Sequence, residues 1–192
     1  MSGRDAEERA DAARVRARLE AYYGRYYGGT LGIPGWRELV AVRLDDVAYE
    51  RERLTRLELA LGRSVAGARL LNVGCGTGGF NELARRAGAD AWGVDASSEA
   101  VTIAALRVPR RILCATAEEL PFPAARFDVV YCYSTLEHVA DAGRAVREMA
   151  RVLDNGTSRP IGGPLWPLVR FYYRLFGIRP YVELVAACRG DA

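Results

Sequence analysis

The pattern of hydrophobic and polar residues divides the chain into a helical N-terminal part and a C-terminal part in which strands and helices alternate. In the N-terminal part, apolar residues recur at helical spacing from Arg4 to Tyr27 and from about Trp36 to Leu61. The apolar stripe of the second helix consists of Val40, Leu44, Val47, Leu54, Leu57 and Leu61. We expect the charged residues between Glu50 and Arg53 to form a solvated face of that helix.

The C-terminal part contains short apolar runs separated by helix-compatible segments. The predicted strands are 69–73, 91–94, 111–115 and 127–132, and the predicted helices are 80–87, 98–107 and 142–153. Strands that are apolar throughout and alternate with helices indicate a parallel, doubly wound sheet. Ligands of such sheets bind beyond the carboxyl ends of the strands, at the point where the strand order reverses.

A glycine cluster follows the first predicted strand, in the stretch Leu70 to Phe80. Glycine lets the backbone adopt a positive φ and lets a ligand approach the main chain closely. The glycines at 74, 76 and 79 satisfy the GxGxxG spacing of dinucleotide-binding sites. Those at 74, 76 and 78 satisfy a second spacing, GxGxG. The cluster alone leaves both interpretations open.

The composition indicates a single globular domain and does not favour nucleic-acid binding. The chain has 192 residues and a net charge of +3, and all 27 of its basic residues are arginines. The arginines are interleaved with acidic residues along the predicted helices, so nucleic-acid binding is not expected. The charged stretch from Arg4 to Arg18 is neither a signal peptide nor a membrane span, which predicts a cytoplasmic protein.

The four cysteines do not form a metal-binding pattern. Cys75, Cys114, Cys132 and Cys188 include no CxxC pair, and His138 is the only histidine that could join them. Cysteines in apolar runs behave as small hydrophobic residues. We therefore expect no metal site and no disulfide framework.

An acidic residue, Asp95, ends the second predicted strand, one strand away from the glycine cluster. A carboxylate offers two acceptor oxygens, which suits the two hydroxyls of a ribose. Both NAD and S-adenosylmethionine carry an adenosine ribose, so Asp95 is compatible with either. The alternative is that Asp95 merely supports the start of the next helix.

Two further stretches decide between these cofactors. The runs 114–123 and 126–139, together with Asn72 to Gly78 and Val94-Asp95, resemble the class I S-adenosylmethionine-dependent methyltransferases of the small-molecule methyltransferase 11 type. The resemblance covers about residues 70–153. It implies an α/β, Rossmann-like, doubly wound and mostly parallel sheet, S-adenosyl-L-methionine as cofactor and a small-molecule acceptor.

The resemblance also implies roles for individual residues. The glycines form the floor under the methionine part of the cofactor, Asp95 holds the ribose, and Ala96 borders the adenine. Ala117 and Glu118 match the loop that flanks the adenine, and Thr116 stands where relatives commonly have an acid. Asn72 likewise replaces an acid. The predicted cofactor-binding residues are Asn72, Gly74, Cys75, Gly76, Gly78, Asp95, Ala96, Thr116, Ala117, Glu118 and Tyr133.

The candidate catalytic residues follow the fourth predicted strand. The resemblance has the reactive methyl facing its acceptor near Tyr133. His138 has an ordinary pKa of about 6.5, which suits a general base, although a structural role is the alternative. The sequence Ser134-x-x-Glu137 matches a capping box, which predicts a helix-opening role for Glu137.

The C-terminal part departs from the family pattern. We divide the chain into an N-terminal helical cap or lid, 1–62, and a cofactor-binding domain, 63–192, with an atypical segment, 155–192. The run 181–188 is strand-like, but the sheet is expected to be incomplete on its C-terminal side. The aromatic and basic stretch 165–176 could cover a sheet edge, contact a membrane surface or lipid-like substrate, or mediate dimerisation.

The leading hypothesis is therefore methyl transfer from S-adenosylmethionine to a small-molecule oxygen, nitrogen or carbon. The missing strand pattern after Gly156 motivates a second hypothesis, a catalytically silent cofactor-binding or scaffold protein. The third, an NAD-dependent oxidoreductase, rests only on the glycine spacing and Asp95.

Overall fold

The structure is a computed structural model that describes residues 21, 25–26, 47–153, 159–160 and 183–187. Residues 21, 25 and 26 are helical, and the rest of the predicted first helix lies outside the described residues. The stretch 165–176 lies outside them as well, so its three interpretations remain predictions.

Helices and strands alternate from the first described helix to the third strand, as the sequence predicts, and the fourth strand then follows without a helix between them. In chain order they are α1 (Val47–Leu61), β1 (Arg69–Val73), α2 (Gly79–Arg86), β2 (Asp90–Asp95), α3 (Ser98–Arg107), β3 (Ile112–Cys114), β4 (Val129–Tyr133), a 3₁₀ turn (Leu136–His138), α4 (Ala142–Val152), β5 (Arg159–Pro160) and β6 (Glu183–Ala187). The fourth strand starts later than predicted, because Phe127 forms only an isolated bridge with Leu153.

The sheet has the order β3-β2-β1-β4-β6-β5. Its first four strands are parallel, whereas β6 runs antiparallel to β4 and β5 antiparallel to β6. The chain proceeds outward from β1 to β3 and then returns to add β4 on the other side of β1. The strand order therefore reverses between β1 and β4. The doubly wound, mostly parallel sheet and the strand predicted at 181–188 are both confirmed.

Helices cover both faces of the sheet, which explains why β1 and β4 are apolar along most of their length. Alternate residues of β1 point to opposite faces. Leu71 and Val73 pack in the α4 layer with Met149, whereas Leu70 packs in the layer of α1 and α2 with Leu57. Side chains cap the starts of α3 and α4, since Ser97 and Asp141 accept hydrogen bonds from Ala100 N (3.2 Å) and Arg144 N (2.9 Å).

The charged face predicted for α1 is wrong at Arg53. That side chain is buried, with 8% of the residue exposed, whereas Val47 of the predicted apolar stripe is 51% exposed. The reason is that α1 directs Arg53 onto a group of aromatic rings at the end of β4. In the described ranges, no helix is both long enough and apolar enough to cross a bilayer.

Candidate functional site

The glycine loop between β1 and α2 lies at the point where the strand order reverses. Gly74, Gly76 and Gly78 have φ values of 75°, 54° and 80°, in the left-handed region that favours glycine. A Cβ at Gly74 would lie 2.0 Å from Thr135 Oγ1. Within this loop, the glycines with a positive φ are the three of the GxGxG spacing, since Gly79 starts α2 without one.

Hydrogen bonds fasten the glycine loop to the carboxyl end of β2. The N–H groups of Gly74 and Cys75 both donate to Val94 O at 2.9 Å, and Gly76 N donates to Asp95 Oδ2 at 2.8 Å. The Cys75 side chain is buried, and burial raises the pKa of its thiol well above the ordinary value. Cys75 can therefore contribute to a site through its main chain, while its thiol stays protonated and inert.

Asp95 joins the loop, the end of β2 and the start of α3. Its second oxygen, Oδ1, accepts from Ser97 N at 2.9 Å. Burial raises the pKa of Asp95, although the N–H groups of Ser97 and Gly76 act in the opposite direction. Each carboxylate oxygen can accept more than one hydrogen bond, so Asp95 retains acceptor capacity beyond these two donors.

The segment after β3 lies beside Asp95. Ala115 N donates to Asp95 O at 3.0 Å, and Cys114 Sγ lies 3.8 Å from the carbonyl oxygen of exposed Ala96. Thr116 is half-buried and Ala117 is buried. The β2 and β3 ends that carry predicted cofactor contacts are thus adjacent.

Glu118 has a structural connection that the sequence did not reveal. The residue is buried, and its Oε1 accepts hydrogen bonds from Ala140 N at 2.9 Å and Asp141 N at 3.4 Å. Glu118 therefore ties the loop after β3 to the segment before α4. Its assignment to the cofactor remains a prediction.

Asn72 lies in the layer beneath the loop. It is completely buried, and its Nδ2 donates to Asn81 Oδ1 at 2.7 Å. Asn81 Nδ2 in turn donates to Trp92 O at 2.8 Å. This chain of amides links β1, α2 and β2, so Asn72 supports the loop from below.

The segment after β4 forms a tight turn against the glycine loop. Thr135 Oγ1 lies 3.3 Å from Val73 O and 3.1 Å from Tyr133 O, and donates toward both carbonyls. The predicted capping box is wrong, because Ser134 Oγ bonds to the Glu137 carboxylate at 2.8 Å and only a 3₁₀ turn follows. The Ser134 backbone is left-handed, with a φ of 51°, so it cannot serve as the extended cap residue of a helix.

The predicted catalytic residues lie at the two ends of this turn. Tyr133 ends β4, and the side chain of His138 is 40% exposed at the end of the 3₁₀ turn. His138 Nε2 lies 4.0 Å from Glu137 Oε1, which gives an ion pair when the imidazole is protonated.

Arg53 is the main feature of the site that sequence reasoning missed. Its Cζ lies 4.5 Å from the ring centroid of Tyr133 and 5.0 Å from that of Phe80. Its Nε donates to Tyr131 Oη at 3.2 Å, and its Nη1 donates to Glu50 Oε2 at 2.8 Å. Burial alone would lower the pKa of Arg53, but Glu50 and Tyr131 raise it above its ordinary value, so the guanidinium is cationic.

The Arg53 contacts bring α1 to the glycine loop. Glu50 lies so close to Gly79 that a Cβ there would be 3.3 Å from Glu50 Cγ. A signal for this arrangement exists in the sequence, since Arg53 and Glu50 precede Leu57 by four and seven positions, on the buried side of the helix.

Among residues 47–153 and the shorter described segments, no group of three or more His, Cys, Asp or Glu side chains could hold a metal ion.

Sequence comparison finds methyltransferases. A family model described as a methyltransferase domain matches residues 71–158. A ubiquinone biosynthesis O-methyltransferase from Bordetella avium is 36% identical over 102 residues, which are 50% of this chain and 42% of that protein. The chain thus matches less than half the length of this relative. The O-methyltransferase rstn1 from Aspergillus nomiae is 31% identical over 153 residues, which cover 72% of this chain and 68% of that protein.

Structure comparison agrees on the fold. Magnesium protoporphyrin IX methyltransferase (ChlM) from Synechocystis, solved with bound S-adenosylmethionine, matches with a TM-score of 0.57 at 17% identity. The match covers 90% of this chain and 96% of that one. Three observations indicate one family. They are the strand order, the glycine loop at the point where that order reverses, and the similarity to an O-methyltransferase over more than two thirds of that protein's length. The chain belongs to the class I S-adenosylmethionine-dependent methyltransferases, whose cofactor is S-adenosyl-L-methionine.

Proposed function

We propose that this chain transfers a methyl group from S-adenosylmethionine to a hydroxyl oxygen of a small molecule. The observation that carries the proposal is the bridge between Gly76 N and Asp95 Oδ2 at the reversal point of the sheet. It fixes a glycine loop and a carboxylate side by side, as an adenosyl cofactor requires. The choice of oxygen is supported by the relatives, which are named O-methyltransferases.

The residues present fit this cofactor. The positive-φ glycines leave main-chain space for the methionine part, and Asp95 has acceptor capacity for the ribose hydroxyls. Ala96, Thr116 and Ala117 would border the adenine, because the ends of β2 and β3 are adjacent. The main chain of Cys75 completes this set, with Asn72 supporting the loop from below.

The chemistry divides between the cofactor and the chain. When bound, S-adenosylmethionine supplies an electrophilic methyl group on a sulfonium. The residues of the chain then hold the acceptor oxygen in line, which is a large part of catalysis for such a reaction. We assign His138 to receive the proton that the acceptor hydroxyl loses, because its imidazole is partly exposed at the turn beyond Tyr133.

The N-terminal part, 1–62, is proposed to act as a cap over this site. The support comes from α1, which reaches the end of β4 through Arg53 and the glycine loop through Glu50. The domain boundary at residue 62 coincides with the glycine that follows α1.

The activity is tested with S-adenosylmethionine carrying a radiolabelled methyl group. The purified chain is incubated with phenols, alcohols and amines, and the products are separated and counted. We expect label in the methyl ether of a phenol or an alcohol. Transfer to amines alone would contradict the choice of oxygen, and cofactor binding without transfer to any member of the panel would contradict enzymatic activity.

The substitution Asp95→Asn should weaken the binding of S-adenosylhomocysteine by about 10- to 100-fold, since a hydrogen bond to a charged group contributes about 1.5–3 kcal/mol. An amide also places an N–H group against Gly76 N or Ser97 N, which disturbs the loop. Isothermal titration calorimetry measures the change.

The matched control is Asp90→Asn, at the opposite end of the same strand, where the carboxylate pairs with Arg111 at 3.0 Å. This substitution makes the same change of charge. It should leave the affinity for S-adenosylhomocysteine within about twofold of the wild type, because a surface ion pair contributes only about 0–1 kcal/mol to stability and this pair does not contact the cofactor site. Equal affinities of the Asp95 variant and the wild type would rule out the assigned role.

A further inference from the structure

Glu118 is a buried acid that binds main-chain donors on the far side of the site. The residue is 2% exposed, and its Oε1 accepts hydrogen bonds from Ala140 N at 2.9 Å and, more weakly, from Asp141 N at 3.4 Å. Two successive N–H groups, 22 and 23 positions further along the chain, therefore converge on one oxygen. A buried N–H group needs an acceptor, so these bonds hold the segment to Glu118.

The segment that Glu118 holds directly follows His138. On its N-terminal side the histidine is anchored by the 3₁₀ turn, in which His138 N donates to Thr135 O at 2.8 Å. On its C-terminal side, Ala140 N and Asp141 N both donate to Glu118 before α4 begins. The main chain that carries the imidazole is thus fixed on this second side by Glu118.

The loop that carries Glu118 borders the position proposed for the adenine. Ala117 precedes Glu118 and is buried in the same apolar cluster as Leu136, which shares the 3₁₀ turn with His138. The cluster and the hydrogen bonds join the same two segments. The loop beside the cofactor and the turn that carries the histidine are therefore held in one arrangement.

Other contacts fasten the second half of α4 to this loop without Glu118. Leu120 N donates to Glu148 Oε2 at 3.0 Å, and Arg151 Nη2 donates to Leu120 O at 3.0 Å. Both Glu148 and Arg151 lie more than a turn beyond the start of the helix. What Glu118 adds is therefore confined to the start of α4 and to the segment that follows His138.

We propose that Glu118 is a positioning residue for methyl transfer, because its bonds to Ala140 N and Asp141 N set where the His138 imidazole lies relative to the cofactor. This inference rests on the proposed function, in which His138 receives the acceptor proton. A general base must lie within about 2.6–3.2 Å of the group that loses the proton. Glu118 acts by the reach of its side chain. The alternative is contact with the cofactor, the role that the family resemblance implies for Glu118.

Two substitutions separate reach from charge. Glu118→Gln keeps the length of the side chain and an acceptor oxygen, whereas Glu118→Asp keeps the carboxylate but shortens the side chain by one methylene. His138 is the only histidine of the chain, so histidine labelled with carbon-13 gives a single imidazole ε1 signal when the expression tag contains none. Spectra recorded at about pH 8.5, about two units above the ordinary histidine pKa, keep such an imidazole neutral.

With S-adenosylhomocysteine bound, the His138 signal of Glu118→Gln should coincide with that of the wild type. The signal of Glu118→Asp should move by more than its line width, because the shorter side chain draws the segment after His138 out of place. A signal that stays in place in Glu118→Asp, or that moves equally far in Glu118→Gln, would overturn the proposal.

The matched controls are Glu148→Gln and Glu148→Asp, which make the same changes where the loop meets the second half of α4. Glu148 accepts from Leu120 N, and neither control should move the His138 signal. An equal displacement in Glu148→Asp would show that any loosening of α4 moves the imidazole, and would overturn a specific role for Glu118.

Cofactor affinity and turnover separate positioning from cofactor binding. Calorimetry should give affinities for S-adenosylhomocysteine within about twofold of the wild type in both Glu118 variants, and a loss of about tenfold in both would assign Glu118 to the cofactor and overturn the proposal. With the phenol, alcohol or amine that yields most methylated product, kcat should fall by about 10- to 100-fold in Glu118→Asp, because a misplacement of about 1 Å can cost about 100-fold.

In Glu118→Gln, kcat should stay close to that of the wild type. Equal losses of kcat in the two variants would show that the charge of Glu118 matters and its reach does not, which would contradict positioning. If the wild type methylates no member of the panel, the proposed function fails, whereas the position of the His138 signal still decides whether Glu118 places the imidazole.

Discussion

Replacing Gly74 by alanine should abolish measurable binding of S-adenosylhomocysteine and lower the free energy of unfolding by about 2–5 kcal/mol. Two effects add. The residue has a φ of 75°, which costs about 1–2 kcal/mol for a residue with a Cβ. The new Cβ would also lie 2.0 Å from Thr135 Oγ1, so the loop or the turn must move. Calorimetry and urea denaturation measure the two losses.

A matched control separates backbone strain from steric overlap. Gly67 has nearly the same φ, 76°, but a Cβ there would meet no atom within 4 Å. Gly67→Ala should therefore cost only about 1–2 kcal/mol and leave cofactor affinity unchanged. Adding Thr135→Gly to the Gly74 variant should restore part of the affinity, because it removes the overlapping side chain. Wild-type affinity in Gly74→Ala would contradict the assignment of this loop.

Replacing Arg53 by methionine should lower the free energy of unfolding by about 3–5 kcal/mol, the range for removing one partner of a buried charge pair. The aromatic rings around the guanidinium add to this loss. Methionine keeps much of the buried volume but removes the donors to Tyr131 Oη and Glu50. Glu50 would then keep a carboxylate that is only 20% exposed without this cation. Chemical denaturation measures the loss.

The control for Arg53 lies one turn further along the same helix. Arg56 pairs with Glu52 at 2.6 Å, but the two side chains are 47% and 61% exposed. Arg56→Met should change stability by no more than about 0.5 kcal/mol, as expected for an exposed pair on a helix. If both variants lose the same stability, the aromatic surroundings of Arg53 contribute nothing and the docking of α1 has another cause.

Features that depend on local pattern were predictable from the sequence. The strands of the parallel sheet are apolar runs, and the starts of α3 and α4 carry Ser97 and Asp141 as caps. The positions of the glycine loop and of Asp95 follow from the same logic, because both come directly after a strand. Parallel strands bring their carboxyl ends to one edge, so sequence order was sufficient to gather these residues.

Features that depend on contacts between distant segments were not predictable. The spacing from Leu57 places Arg53 on the buried side of α1, but it does not identify the rings that surround the guanidinium, because Arg53 and Tyr131 are 78 positions apart. Glu118 bonds to backbone N–H groups more than 20 positions later, and a backbone donor leaves no trace in the sequence. The spacing of Ser134 and Glu137 matches a capping box, but the capping prediction was wrong. The Ser134 backbone is left-handed, and the serine hydroxyl bonds to the glutamate carboxylate.

The central claim is that the glycine loop and Asp95 hold S-adenosylmethionine. The most direct measurement is calorimetric titration of the purified chain with S-adenosylhomocysteine, alongside thermal-shift assays with S-adenosylhomocysteine and with NAD. We expect one molecule bound per chain and stabilisation by S-adenosylhomocysteine but not by NAD. No heat of binding with S-adenosylhomocysteine, together with stabilisation by NAD alone, would contradict the account.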